Sequence, residues 1–271
     1  MRDSAAVTGR CPVIAIIGGG FCGTLTAVHL LRRAEPGTRI LLIERSGDFG
    51  PGVAYATRDD RHVLNVPAAR MSAVSAEPDD LVQWAGVEPD AYIPRRVYGE
   101  YLRARLAGAA ARSAARLERV TAEVVRARPM RGAIELVLAD GGHLACDRAV
   151  LAVGSLASSP VCELPDDERV IRDPWRDLPL GQAYEAAPIA GLEAGWAGGV
   201  DASWMDRYAR GAAGDGSTTL VIGAGPTAVD VALSLCGASP RAHVIAVSRH
   251  GRRTSPSKRS HIRATCHVEG T

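Results

Sequence analysis

Aromatic residues make up only 4% of the 271 positions, and just two of them are phenylalanine. Glycine, by contrast, occurs 29 times. A glycine-rich, alanine-rich chain poor in aromatics suits an α/β fold with tight strand-to-helix turns better than a β-sandwich. Charge of one sign is lacking too: 32 Lys and Arg against 30 Asp and Glu leave a net charge of +2. That balance argues against nucleic acid or an anionic membrane as the main partner. With 46% hydrophobic residues it also excludes a wholly disordered chain. No apolar run reaches the length of a membrane span, and no separable leader precedes the first apolar stretch. The six cysteines, Cys11, Cys22, Cys146, Cys162, Cys236 and Cys266, include no C-x-x-C pair. Neither a zinc site nor a dense disulfide framework fits their spacing. Reduced structural thiols in a cytoplasmic protein are the expectation.

Val13 to Ile17, V-I-A-I-I, is a short apolar run rich in β-branched residues, the pattern of a buried parallel strand. GGGFCG follows at once, then apolar residues at helical spacing from Thr24 to Arg33. A second strand, Arg39 to Ile43, ends in Glu44. Together they form one βαβ unit. The stretch from Phe49 to about Asp79 shows little periodicity and reads as a long functional loop. A helix is expected over Tyr98 to Arg119. A three-stranded meander is expected at Glu123–Arg128, Ala133–Ala139 and His143–Cys146, divided by Gly-bearing turns. Ala149 to Val153 is a further strand. The opening pattern returns about 205 residues on, as Thr219–Ile222, GAGPTA, a helix over Val229–Leu235 and a strand over Val244–Val247. The expected domains are 10–165, carrying the long loop 49–97 and the meander 123–146; a linker or insertion over 166–217; a second βαβ unit over 218–250; and an irregular tail over 251–271.

Gly18-x-Gly20-x-x-Gly23 lies between strand and helix. The first glycine permits the sharp turn, the second leaves room for a pyrophosphate, and the third lets helix and strand pack closely. The helix start offers backbone N–H groups and a positive dipole end to phosphates. Glu44, about 20 residues beyond, can accept hydrogen bonds from both ribose hydroxyls and disfavours a 2′-phosphate. Gly19, Phe21 and Cys22 within the turn, and Arg45 beside Glu44, complete this candidate set. The competing methyltransferase reading expects an acidic residue before the loop, where Ile17 stands.

Gly223-x-Gly225-x-x-Ala228 repeats the pattern, with Pro226 and Thr227 inside it. Its second strand ends in Val247, Ser248, Arg249 and His250, without a carboxylate. A hydroxyl and a guanidinium there suit a 2′-phosphate, because Arg pairs with phosphate in a fork. The alternative is a solvated basic turn of Arg249, Arg252 and Arg253. Two sites of unlike preference imply two cofactors, FAD at the first and NADP(H) at the second. Ala152-Val153-Gly154 resembles the segment of two-dinucleotide-domain flavoproteins that passes close to the cofactors, which makes Ala152 and Gly154 candidates. The fold expected is α/β, with two Rossmann-like dinucleotide-binding units and a β-meander, the second unit incomplete.

The segments GGGFCGTLTAVHLLR, FGPGVAYAT, HVLNVPAARMSA, PRRVYGEYL, DPW and VIGAGPTAVDVALSL resemble a bacterial family of FAD/NAD(P)-binding flavoproteins. That family is distantly related to flavin-containing monooxygenases and to ornithine/lysine N-hydroxylases. The resemblance runs from about residue 12 to 250. It implies that Gly18, Gly20, Gly23 and Glu44 hold the FAD adenosine diphosphate. It puts Leu64-Asn65-Val66-Pro67 near the isoalloxazine or ribityl chain, with Asn65 the polar contact. Val124 would give backbone contacts to the adenine. Arg70, Arg95 and Tyr98 are weaker candidates, since Tyr98 and Tyr101 also read as helix packing. His29 and His62 read as ordinary polar neighbours. Members of the family are longer, and their C-terminal part returns to complete the flavin domain; against that pattern the tail reads as a truncated or frame-shifted end, with an oligomer or a completing partner chain as further expectations. The activity implied is NADPH-dependent flavin reduction with oxygen activation and hydroxylation of a small molecule. The rivals are an oxidoreductase that does not use oxygen and a non-catalytic dinucleotide-binding protein.

Overall fold

A computed structural model describes residues 11–154, 170–172, 174, 218–223, 225–238 and 243–248. Contacts divide the chain into two units, Met1–Ala56 with Val66–Leu156 and Thr57–Asn65 with Ala157–Thr271. Segment 57–65, inside the range 10–165 expected for the first domain, therefore groups with the second unit. Apart from residues 170–172 and 174, the insertion 166–217 lies outside the described residues, as do the tail 251–271 and Arg249.

The first unit is built on β1 (Val13–Ile17), β2 (Arg39–Glu44), β3 (Arg116–Thr121) and β7 (Arg148–Leu151), a sheet of order β3-β2-β1-β7. All three pairings are parallel. Helices α1 (Phe21–Leu31) and α4 (Arg95–Arg112) cover one face. The antiparallel meander β4 (Val124–Met130), β5 (Ala133–Leu138) and β6 (His143–Cys146) covers the other. Alternation along the strands explains both layers. Ile16, Ile40 and Leu42 pack with Ala27, Val28, Leu31 and Leu106 on the helical side. Ala15, Ile17, Leu41 and Ile43 pack with Leu136 and Cys146 on the meander side. Strands buried on both faces read as continuous apolar runs, as V-I-A-I-I does.

Several element ends shift by a few residues from the sequence expectation, as where the strand expected over Ala149–Val153 is Arg148–Leu151, and two stretches differ more. The helix expected over Tyr98–Arg119 occupies Arg95–Arg112 instead. After it the Ser113 hydroxyl donates to the Leu31 carbonyl at 2.6 Å and accepts from the Ala115 N–H at 3.0 Å. Residues 116–121 then form β3, the edge strand beside β2, where Arg39 grips Glu118 through Nε and Nη2, each at 2.9 Å. Tertiary pairing overrides the helix propensity of the Arg- and Ala-rich stretch. The stretch read as a loop from Phe49 also carries α2 (Gly52–Tyr55), a 3-10 turn at Ala68–Arg70 and, at its end, α3 (Asp80–Ala85).

In the second unit, β8 (Thr218–Ile222) and β9 (His243–Val247) pair in parallel, joined through α5 (Pro226–Ala238). Val231 and Leu235 of α5 are buried, with Ile171, Val221 and Val244 packed against them. Cys11, Cys22, Cys146 and Cys236 are free thiols. Among the described residues no helix is long and apolar enough to cross a membrane.

Candidate functional site

Parallel strands send their C-terminal ends to one edge of a sheet, the edge at which open α/β folds bind ligands. Here β1 runs into Gly18, β2 ends in Glu44, β3 ends in Thr121 and β7 runs into Ala152. Gly18 has φ +104°, and its N–H donates to the Ile43 carbonyl at 2.8 Å. A Cβ on Gly18 would stand 2.2 Å from the Ala152 carbonyl oxygen. One on Gly23 would stand 1.8 Å from the Gly18 carbonyl oxygen. Glycine is therefore required twice, once for turn and strand and once for turn and helix. A Cβ on Gly20 would meet only the Gly52 backbone, at 3.2 Å. Gly20 is the residue before α1, and no side chain caps that helix.

Gly19 donates its N–H to Glu44 Oε2 at 2.8 Å, while its carbonyl accepts from the Thr24 hydroxyl at 2.9 Å and the Gly50 N–H at 2.8 Å. Glu44 Oε1 accepts from the Ser46 N–H at 3.0 Å and hydroxyl at 2.9 Å. Burial pushes this carboxyl up. The N–H donors of Ser46 and Gly19, the Ser46 hydroxyl and the Arg45 charge outweigh that and hold it below the usual carboxylate range. An ionised carboxylate has about four acceptor positions, so these three donors leave room for a sugar hydroxyl.

The other candidates divide clearly. Phe21 stacks against Tyr55 and Tyr98, with centroids 5.6 and 6.1 Å away. The Cys22 side chain is exposed and lines a groove of about 560 Å³ with Leu25 and His29, so only its backbone is a candidate at the turn. Arg45 is exposed and pairs with Glu123 at 3.6 Å. That places Val124, the first residue of β4, beside the Glu44 end of β2, where the Ala122 N–H also reaches the Glu44 carbonyl at 3.2 Å. The Ala152 carbonyl stands over Gly18, and Gly154 has φ +74°. Tyr98 is buried in the aromatic cluster, and Arg95 is buried at the start of α4. Arg70 is exposed at the end of its 3-10 turn. Val66 belongs to the first unit and Asn65, exposed, to the second.

The second turn repeats the geometry. Gly223 has φ +116°, and its N–H donates to the Val247 carbonyl at 2.8 Å, matching Gly18 and Ile43. Gly225, Pro226 and Thr227 are exposed where α5 begins, and Ser248 follows β9. Sequence reasoning singled out neither Gly50 nor Gly52, although Gly52 (φ +56°) would put a Cβ 2.9 Å from the Gly20 Cα. The only signal for them was the FGPGVAYAT segment.

Residues 15–156, more than half of the sequence, match a protein-family model described as FAD-NAD(P)-binding. The chain belongs to this FAD-NAD(P)-binding family. Its cofactors are therefore FAD and a nicotinamide dinucleotide, and the uncapped start of α1 and the Glu44 carboxylate are chemically suited to hold the first of them. No curated protein matches the sequence. Among solved structures, the chain is similar to bacillithiol disulfide reductase from Staphylococcus aureus, with 15% identity and a TM-score of 0.52 over 90% of this chain and 58% of that one. It is also similar to cyclohexanone monooxygenase from Rhodococcus sp. Phi1 bound to NADP+, with 22% identity and a TM-score of 0.49 over 87% of this chain and 38% of that one. Similarity extends to OTEMO in complex with FAD and NADP, at 18% identity and a TM-score of 0.48 over 87% and 38%. At these identities the likeness concerns the fold. This FAD-NAD(P)-binding chain spans 32 to 58% of the lengths of the solved relatives it matches.

Proposed function

We propose that the chain is an NADPH-dependent flavin oxidoreductase whose reduced flavin serves the oxygen-dependent hydroxylation of a small molecule. The observation that carries this reading is one turn built twice with unlike partners. Gly18 and Gly223 share a left-handed backbone and the same 2.8 Å bond to the second strand. The first of these second strands ends in the Glu44 carboxylate, whereas the second ends in Val247, and Ser248 and Arg249 come next in the sequence. In this reading Gly18 to Gly23 cradle the FAD pyrophosphate and Glu44 accepts from its ribose hydroxyls. Val124 offers backbone contacts to the adenine, and Asn65 and Val66 approach the ring end. Gly223, Gly225, Pro226 and Thr227 cradle the NADPH pyrophosphate, and Ser248 and Arg249 take its 2′-phosphate. Bound FAD supplies acceptance of a hydride from NADPH and, once reduced, reaction with oxygen. The chain's own task is to bind, to orient and to limit the access of water.

The test is an anaerobic addition of NADPH to the flavin-loaded protein, followed by air. The expected result is loss of the oxidised flavin band, then its return as oxygen is consumed. A flavin that NADPH does not reduce would overturn the oxidoreductase reading. A reduced flavin that persists in air would replace oxygen with another acceptor.

A further inference from the structure

The chain leaves the first unit after Ala56 and re-enters it at Val66, and the nine residues between belong to the second unit. Within them Arg61 clamps the buried Asp59 through Nε at 2.8 Å and Nη2 at 2.5 Å. His62 is wholly buried. Its Nδ1 lies 2.7 Å from the Thr57 hydroxyl. Its Nε2 lies 3.0 Å from the Asp230 carbonyl oxygen and 3.0 Å from the Ser234 hydroxyl. A carbonyl only accepts, so Nε2 carries a proton, and in the neutral ring Nδ1 accepts from Thr57. That assignment removes a nucleophile reading of the Ser234–His62 pair, because Nε2 has no lone pair with which to take the serine proton. The Asp59 carboxylate stands 3.8 Å from the same nitrogen, not behind Nδ1 where a triad would need it.

What the ring does instead is join two stretches 168 residues apart. Asp230 and Ser234 are one and two turns along α5 from Pro226, where the second glycine turn ends. The neighbouring residues Val231 and Leu235 face the β8–β9 pair. Helix α5 is thus held by the sheet through its apolar residues and by His62 beside them.

We propose that His62 is a positioning residue of the nicotinamide-nucleotide unit. It latches residues 57–65 onto α5, so that nucleotide held at the Gly223 turn and the placement of the segment ending in Asn65 are coupled. The proposal rests on the reading of the second turn as the NADPH site. Coupling of this kind is reciprocal, so a nucleotide that steadies α5 also steadies what is latched to it.

Hydrogen exchange on the full chain, with and without NADP+, tests this in the wild type, His62→Ala and His62→Gln. In the wild type NADP+ slows exchange both around residues 223–230 and in 57–65. In His62→Ala the first protection remains and the second is lost, while FAD content is unchanged. Without nucleotide, segment 57–65 of that variant exchanges about tenfold faster or more, because its hydrogen bonds from the ring to Asp230 and Ser234 of α5 are gone. Glutamine keeps a donor near the Nε2 position, and His62→Gln restores both behaviours. The latch is overturned if His62→Ala keeps nucleotide-induced protection of 57–65, or if NADP+ protects the turn but not 57–65 in the wild type. If NADP+ protects nothing in the wild type, the second-site reading fails. The nucleotide-free comparison then still decides the latch, and unchanged exchange in His62→Ala overturns it. If His62→Ala does not fold, His62→Gln decides: it must show the wild-type coupling, and its loss overturns the proposal.

Discussion

Replacing Gly23 with alanine is expected to remove about 3 kcal/mol of stability, near the upper end of the usual cost of overpacking, and to bring FAD content to background. The added Cβ would lie 1.8 Å from the Gly18 carbonyl oxygen and 3.0 Å from its carbon. Both are backbone atoms, so no side chain can swing aside. Gly18 cannot yield either, since its N–H is bonded to Ile43 and its own Cα side faces the Ala152 carbonyl. Helix α1 must therefore lift from the turn, moving the N–H groups proposed to meet the pyrophosphate. Domains of ordinary stability tolerate such a loss and remain folded, so both effects can be read in one protein. Urea unfolding midpoints and flavin absorbance per mole of protein measure them. Gly225→Ala provides the contrast, since a Cβ there has nothing within 4 Å. A Gly23→Ala protein with the wild-type midpoint and full flavin would refute the packing argument.

The second large effect is expected at the nucleotide's 2′ end. Arg249 follows Ser248 where the carboxylate of the first unit has its counterpart. A charge-assisted contact to phosphate is worth about 1.5–3 kcal/mol, roughly 10- to 150-fold in affinity. Arg249→Ala should therefore weaken NADPH by about that factor and leave NADH little changed, so the ratio of the two dissociation constants narrows accordingly. Raising the salt concentration should narrow it in the wild type as well, because exposed phosphate contacts are screened. Titration of each nucleotide into both proteins measures the ratios. Equal binding of NADPH and NADH by the wild type would sink the idea before any variant is made.

What could be read from the sequence was local. Val13–Ile17, the glycine turn, α1 and Arg39–Glu44 follow one another within a single βαβ unit, and each has its own pattern. The meander was legible because Gly132 and Gly141, both at positive φ, mark its turns. Residues 113–121 were not, because Arg- and Ala-rich sequence favours helix and only pairing with β2 makes β3 a strand. The closure of Gly50 and Gly52 onto the first turn was hidden for a similar reason: it joins segments some 30 residues apart, and no local period records it. His62 gave no sign of its partners on α5, since nothing near it in sequence distinguishes it from a surface histidine. The chemistry of Glu44 was visible, but not the Gly19 and Ser46 donors that hold it ionised.

If one chain carries two dinucleotide sites of unlike preference, FAD at Gly18–Glu44 and NADPH at Gly223–Arg249 as proposed, both must be filled at once. The most direct measurement is binding stoichiometry on the flavin-loaded protein, by equilibrium dialysis with NADP+ while the flavin band is followed. One FAD and one NADP+ are expected on the same chain together, with NADP+ displacing no flavin. Release of FAD in step with NADP+ uptake, or saturation at one dinucleotide per chain in total, would contradict it.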